Sequence, residues 1–304
     1  MANNMLITII TPTYNRAKEI RNLAKSLYAQ IDQDFQWLIV DDGSTDNTEH
    51  EIQKLPVSNF MIDYHKKENG GKHTALNYSH HYIKGSYVCI VDSDDILTPN
   101  AISEIKKAIR KYKDDTRIGC ISFQRGSNAK KPLSVFPKGE TISNHINFRI
   151  NDNRRGDCFE VIKADVFKSI TFPKHHKEKF MSEGYLWANI AKKYDTVYIS
   201  KVLYICTYLD GGLTKTGRKL RIDCPLGGMD NSNAYLEKNK RANLKLRYKI
   251  KHGILFDCYS LFANYTMEKS ISRCKNTLLA ISCYPLGLAL YVYWKNKYKT
   301  GSKQ

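Results

Sequence analysis

Ser86-Tyr87-Val88-Cys89-Ile90-Val91-Asp92-Ser93-Asp94-Asp95 is the stretch from which the rest of the chain can be read. Its apolar, partly β-branched first part predicts a buried strand over 86–91, which runs with no spacer into three carboxylates within four residues. Carboxylates crowded in this way repel one another, and a hard cation or a basic partner relieves the repulsion. Mg²⁺ or Mn²⁺ held by one or two aspartates and by phosphate oxygens fits such a cluster. A solvated turn whose aspartates cap the next helix fits it too, so the tetrapeptide alone leaves both readings open.

Upstream, strand and helix signals alternate. Residues 5–11 read as a buried strand ending in Pro12-Thr13-Tyr14-Asn15, and 16–30 as a helix with Ile20, Leu23, Ala24, Leu27 and Tyr28 on one face. A strand over 35–40 stops at Asp41-Asp42-Gly43-Ser44, before a helix over 47–54. A third strand, 60–64, leads through Asn69-Gly70-Gly71 into a helix over 73–83. Beyond the acidic cluster, Thr98-Pro99 predicts a cap and first helical residue for a helix carrying Ala101, Ile102, Ile105, Ala108, Ile109 and Tyr112. Such a repeat is α/β: a mainly parallel sheet flanked by helices, with ligands beyond the carboxyl ends of its strands. Both acidic turns should therefore converge. An aspartate in the 41–42 turn could accept from a base or a ribose hydroxyl, and Tyr14 could stack on a base; an Asx-turn cap and a packing ring are the alternatives.

The second half is less regular. A strand is expected at 118–123, a polar, basic loop at 125–157, a helix at 183–193 and a strand at 196–208. After Asp210-Gly211-Gly212 the pattern turns helical, and 277–294 carries no charge but contains Pro285 and Gly287. That segment lies between a buried helix, an interfacial helix and a short span; its proline, glycine and terminal tyrosines favour an interface-lying or re-entrant pair of helices.

Composition narrows the classes. Of the net charge of +18, residues 238–304 carry +12, from 14 Lys or Arg against Asp257 and Glu268. A basic tail rich in Leu, Ile, Tyr and Trp points to an anionic membrane surface rather than to nucleic acid, for which no zinc finger, RNA-recognition or helix-turn-helix pattern is present. Eight cysteines without a CxxC pair indicate buried thiols rather than zinc or disulfides. The apolar opening is too short for a secretory signal, so the expected location is the cytoplasmic side of the membrane, peripherally attached.

Taken in order, Ile7 to Arg16, Val40 to Asp46, Asn69-Gly70-Gly71-Lys72 and Val91 to Asp95 resemble the family 2 glycosyltransferases. The resemblance implies a GT-A fold over 1–225, with a nucleotide-sugar-binding half at 1–100 and an acceptor-binding half at 101–225, followed by a basic, amphipathic, membrane-associating helical region at 226–304. It implies a nucleoside-diphosphate-sugar donor, UDP-linked in many relatives, and inversion at the anomeric carbon. Pro12, Tyr14 and Asp42, with Asp41, would hold base and ribose; Lys72 would reach the diphosphate. Asp92 and Asp94 would form the DxD motif with Ser93 between them, Asp94 being the direct ligand of Mn²⁺ or Mg²⁺ and Asp95 a supporting one. Many relatives carry an acidic pair where this chain has Ser182 and Glu183, which makes Glu183 the base that deprotonates the acceptor, although a helix-start glutamate favouring the dipole is the plain alternative. The expected acceptor is a lipid-linked glycan in surface polysaccharide synthesis, and a homo-oligomer is compatible with the sequence. The rival is an inactive relative that only binds a nucleotide-sugar or a partner.

Overall fold

The computed structural model describes residues 7–206 and 213–298. Its described residues fall into two compact units, one from 7–144, 153–171 and 193–206, the other from 145–152, 172–192 and 213–298. Segments 145–152 and 172–192, which precede residue 225 in the chain, cluster with the C-terminal helices.

The first unit is built on a ten-stranded sheet. β1 (Ile7–Thr13), β2 (Gln36–Asp41), β3 (Met61–Lys66) and β4 (Tyr87–Ile90) are parallel neighbours in the order β3-β2-β1-β4. They alternate with α1 (Glu19–Tyr28), α2 (Thr48–Gln53) and α3 (Lys72–Ser79). Next come β5 (Ile96–Leu97), α4 (Ala101–Tyr112), β6 (Ile118–Asn128), β7 (Lys131–Pro132), β8 (Glu140–Ser143), β9 (Cys158–Lys163), α5 (Ala164–Lys168) and β10 (Asp195–Ile205). β9 lies between β4 and β6, antiparallel to both, and β6 pairs in parallel with β10. The sheet is thus parallel in its first half and mixed in its second.

β1 and β2 are buried along their whole length because helices cover both faces, which is why they read as continuous apolar runs rather than alternating ones. Ile20, Leu23, Ala24 and Leu27 of α1 and Ile102, Ile105 and Ile109 of α4 are buried in the core, each large side chain stabilising by roughly 1.5–3 kcal/mol relative to exposure. Trp37 is fully buried and donates its indole N–H to Thr11 Oγ1 at 3.0 Å.

Several expectations need correcting. The loop foreseen at 125–157 holds the end of β6, β7, β8 and a π-helical turn, Ile146–Asn151; two- and four-residue strands with exposed residues carry no hydrophobic alternation to detect. β9 escaped notice because Glu160 and Lys163 break its short apolar pattern. Helix α4 starts at Ala101 with Asn100 at its cap rather than at Pro99, since Thr98 N–H donates to Leu203 O and Thr98 O accepts from Gln30 Nε2, both at 2.9 Å.

The second unit is helical: α6 (Gly184–Ala191), α7 (Leu213–Asp223), α8 (Pro225–Leu236), α9 (Leu246–Phe262), α10 (Met267–Arg273) and α11 (Thr277–Tyr298). α9 and α11 run parallel, since Cys283 faces Gly253, Gly287 faces Asp257 and Tyr291 meets Phe262 edge-on. The proline and glycine do not divide the apolar segment, and α11 is one continuous helix. Pro285 sits on its exposed side, while a Cβ at Gly287 would come within 2.5 Å of Asp257 Cβ. The glycine therefore serves close helix packing rather than a break. The turn at 208–212 and the first residues of the predicted first strand lie outside the described residues.

Candidate active site

Because β1, β2 and β4 are adjacent and parallel, the loops after them open at one end of the sheet. That end gathers Pro12, Tyr14, Asp41, Asp42, Lys72, Asp92, Ser93, Asp94 and Asp95, nine of the ten residues singled out in the sequence. The tenth, Glu183, belongs to the second unit.

The Asp41-Asp42 turn is more internal than expected. Asp41 is fully buried, accepting from Ser44 N–H at 2.7 Å and from Tyr64 Oη at 2.8 Å. Burial first, and then this carboxylate, push the Tyr64 phenol far above its ordinary range. Asp42 accepts from Lys67 Nζ at 2.5 Å, Gly70 N–H at 3.0 Å and Gly71 N–H at 2.6 Å, while Asn69 Nδ2 donates to its backbone carbonyl at 2.8 Å. Both carboxylates are thus met by donors from the protein itself, and Asp42 ties down the Asn69-Gly70-Gly71 loop. Gly43 has φ +82°, and a Cβ there would lie 2.9 Å from Asn69 N, so the crossing of the two loops requires glycine.

Tyr14 stands outside this knot with about half its surface exposed, next to Asn15 in a left-handed conformation (φ 52°). Asn15 N–H donates to Ser44 Oγ and Asn15 Oδ1 accepts from Thr45 N–H, both at 2.9 Å. These bonds hold the Tyr14 loop against the Asp42 turn and present the ring to solvent. Pro12 lies within β1, in register with Val40.

The acidic cluster is held by groups that sequence reading missed. Tyr204 of β10 is fully buried; its Oη donates to Asp95 Oδ2 at 2.7 Å and accepts from Asp92 N–H at 3.1 Å. The guanidinium of Arg125, within β6, stacks 4.2 Å above the Tyr204 ring and lies 3.8 Å from Asp92 Oδ2. Lys72, the first residue of α3, pairs with Asp92 Oδ1. Ser93 is buried within the turn. Burial would raise the Asp92 carboxyl, but the charges of Lys72 and Arg125, joined by Arg16, outweigh it and hold the group below its ordinary range. Asp94 moves the other way: burial, and then the negative charge of Asp92, push it up. Nothing in the alternating pattern of β10 distinguishes Tyr204, but an arginine closing the apolar run of 118–123 was a legible signal.

The donor set fits a divalent cation bound together with a phosphate. Among the described residues no three His, Cys, Asp or Glu converge on one point, and Asp95 is engaged by Tyr204. Asp94, with Asp92 once a phosphate shares the cations Lys72 and Arg125 that now pair with it, offers two hard oxygen donors, and a cation that relies on substrate phosphates needs no more. Of the two causes that push Asp94 up, burial and then the charge of Asp92, added positive charge would relieve the second.

In the second unit, Glu183 occupies the N-cap position of α6. The segment leading to it is fastened to α8: Glu178 accepts from Leu226 and Gly227 N–H, both at 2.9 Å, and His175 Nε2 lies 2.6 Å from Asp230 Oδ2.

The chain is similar in sequence or fold to several known proteins. A glycosyltransferase GlyG of Streptococcus pneumoniae is 25% identical over 256 residues, 75% of this chain and 83% of its own length. A chondroitin synthase of Pasteurella multocida is 33% identical over 143 residues, 47% of this chain. An uncharacterised glycosyltransferase of Rickettsia felis is 34% identical over 54% of this chain. The matched region is only 14% of the Pasteurella protein and 28% of the Rickettsia protein. Among solved structures, residues 1–349 of S. aureus TarS share the fold at TM-score 0.65 and 17% identity, covering 98% of this chain and 92% of that one. The mannosyltransferase PcManGT of Pyrobaculum calidifontis follows at TM-score 0.56 and 17% identity, covering 95% and 83%. Residues 8–170, more than half of the chain and all nine of the strand-end residues singled out in the sequence, match the profile of glycosyl transferase family 2, and the chain belongs to that family.

Proposed function

We propose that the protein transfers a sugar from a nucleoside-diphosphate-sugar, UDP-linked, to a hydroxyl of a lipid-linked glycan acceptor, with inversion and with a divalent cation, in surface polysaccharide synthesis. The observation that carries this reading is the Asp92–Asp94 carboxylate pair at the end of β4, bordered by Lys72, Arg125 and Arg16. Mixed charge of this kind suits a diphosphate, whose oxygens the cations neutralise while the carboxylates hold a metal. Support also comes from TarS, solved with UDP and with UDP-GlcNAc, from PcManGT, solved with GDP-Man and Mn²⁺, and from the names of the Pasteurella chondroitin and hyaluronan synthases.

In this mechanism Tyr14 stacks on the base from its exposed loop, and the 41–42 turn, internally braced by Lys67 and Tyr64, contacts base and ribose. Lys72 and Arg125 draw the diphosphate toward the end of β4. Asp92 and Asp94 would hold Mn²⁺ or Mg²⁺, which when bound would supply charge neutralisation for the leaving diphosphate. Glu183 accepts the proton of the acceptor hydroxyl as that oxygen attacks the anomeric carbon and the bond to the diphosphate breaks. The basic, apolar C-terminal region brings the enzyme to the cytoplasmic membrane surface, where a lipid-linked acceptor resides.

A donor screen by thermal shift with Mn²⁺, followed by kinetics on two variants, tests the reading. Asp94→Asn should abolish transfer and metal-dependent donor binding together. Glu183→Gln should keep donor binding and lower turnover by about 10²–10⁴-fold; equal turnover in this variant would move the base elsewhere. The substitution of serine for an acid at position 182 favours a second reading, a nucleotide-sugar-binding module. A wild-type chain that binds donor but releases no nucleoside diphosphate from it would establish that module instead.

A further inference from the structure

α11 is two-sided. Cys283, Gly287 and Trp294 turn inward, the last against Tyr259 and under the guanidinium of Arg218. Leu278, Ile281, Leu286, Leu288, Val292 and Tyr293 are 43–80% exposed, and with Pro285 and Ala289 they form one apolar stripe along the helix. Of its 22 residues only Ala280, Cys283, Gly287 and Trp294 are buried. An exposed stripe of this length on one helix is a contact surface.

What covers it follows from charge. Exposed Lys275 stands at one end of the stripe and exposed Lys295 and Lys297 at the other, and no Asp or Glu follows Glu268 in the sequence. A second copy of the chain would present the same uncompensated cations, whereas an anionic lipid surface supplies the missing charge along with an apolar layer. Nor is the helix disposed to span. Its inner side is committed to α9, where Gly287 sits against the buried Asp257, and a lone spanning helix would bare that side to lipid.

We propose that α11 lies in the plane of an anionic membrane surface, with the Leu278–Tyr293 stripe in the headgroup and acyl boundary and Lys275, Lys295 and Lys297 on the phosphates. This surface rests on the membrane-side reading given above and specifies its lipid class, its face and its depth.

Flotation of the full chain with phosphatidylcholine vesicles, alone or with about 30% phosphatidylglycerol, tests it. The parent should float with the anionic vesicles only and come off in alkaline carbonate. Leu278→Glu with Leu286→Glu should cut the floated fraction about tenfold or more while preserving the circular dichroism spectrum and donor hydrolysis. Lys295→Gln with Lys297→Gln alters only exposed positions and should lower the salt concentration that releases the protein. Equal flotation of parent and both double variants, or resistance to carbonate, overturns the proposal. So does a parent dimer, measured by light scattering, that the Leu→Glu pair dissociates while vesicle binding stays absent. Donor hydrolysis is read separately, so loss of the transferase reading is not confused with loss of this one.

Discussion

Tyr204→Phe deletes a single oxygen atom and should weaken both the first unit and the donor site proposed in it. In the wild type that atom donates to Asp95 at 2.7 Å and accepts from Asp92 N–H at 3.1 Å, inside a fully buried setting. A bond to a carboxyl group contributes about 1.5–3 kcal/mol and a neutral one about 0.5–1.5 kcal/mol. Their joint loss should cost about 2–4 kcal/mol of stability, minus whatever a shift of the turn recovers. The phenylalanine ring still fills the space beneath Arg125, which stacks at 4.2 Å, so no cavity contributes. If the 92–95 turn loosens by only half that energy, metal-dependent donor affinity falls about tenfold. Thermal unfolding measures the first quantity, and calorimetric titration of UDP-sugar with Mn²⁺ measures the second. A Phe variant that melts and binds donor like the parent would refute the claim that Tyr204 holds the acidic turn.

Asp42→Ala should release Lys67 and the Gly70 and Gly71 N–H groups from their common acceptor. We expect a loss of about 2–4 kcal/mol in denaturant unfolding, because the partly buried Lys67 and two backbone donors lose a charged acceptor, and faster proteolysis at the 67–71 loop; a loss below 1 kcal/mol would show that the bonds are dispensable. Asp257 is fully buried, and burial pushes its carboxyl up to about 7, with Ser270 opposing. The folded state therefore keeps a proton that the unfolded chain releases near pH 4, so stability should fall as pH rises from 4 to 7 and then level off. Asp257→Asn should remove that slope, making the variant the more stable protein at pH 8 by up to about 4 kcal/mol. A parent-to-variant gap that stays constant between pH 4 and 8 would contradict this.

Residues 7–95 were the most legible part because their information is local. Strand, acidic turn and helix follow each other within a few residues, so period, caps and glycines announced β1 to β4 and the residues at their ends. The second half was opaque because its order is not sequential. β9 is inserted antiparallel between β4 and β6 from far along the chain, and segment 172–192 folds onto α8 rather than onto its chain neighbours. Neither event leaves a periodic trace.

The acidic cluster shows where the line falls. The sequence by itself determined that Asp92, Ser93, Asp94 and Asp95 follow a buried strand, that the Asp41-Asp42 turn lies at the same sheet end, and that positive charge gathers in the C-terminal region. Only the tertiary structure decided which aspartate faces which partner: Asp42 braces a loop, Asp95 bonds Tyr204, and Asp92 meets Lys72 and Arg125. The reason is distance along the chain. Tyr204 is 109 residues from Asp95, and a hydrogen bond of that span is set by how strands order themselves in a sheet, which packing of the whole unit determines and no local pattern encodes.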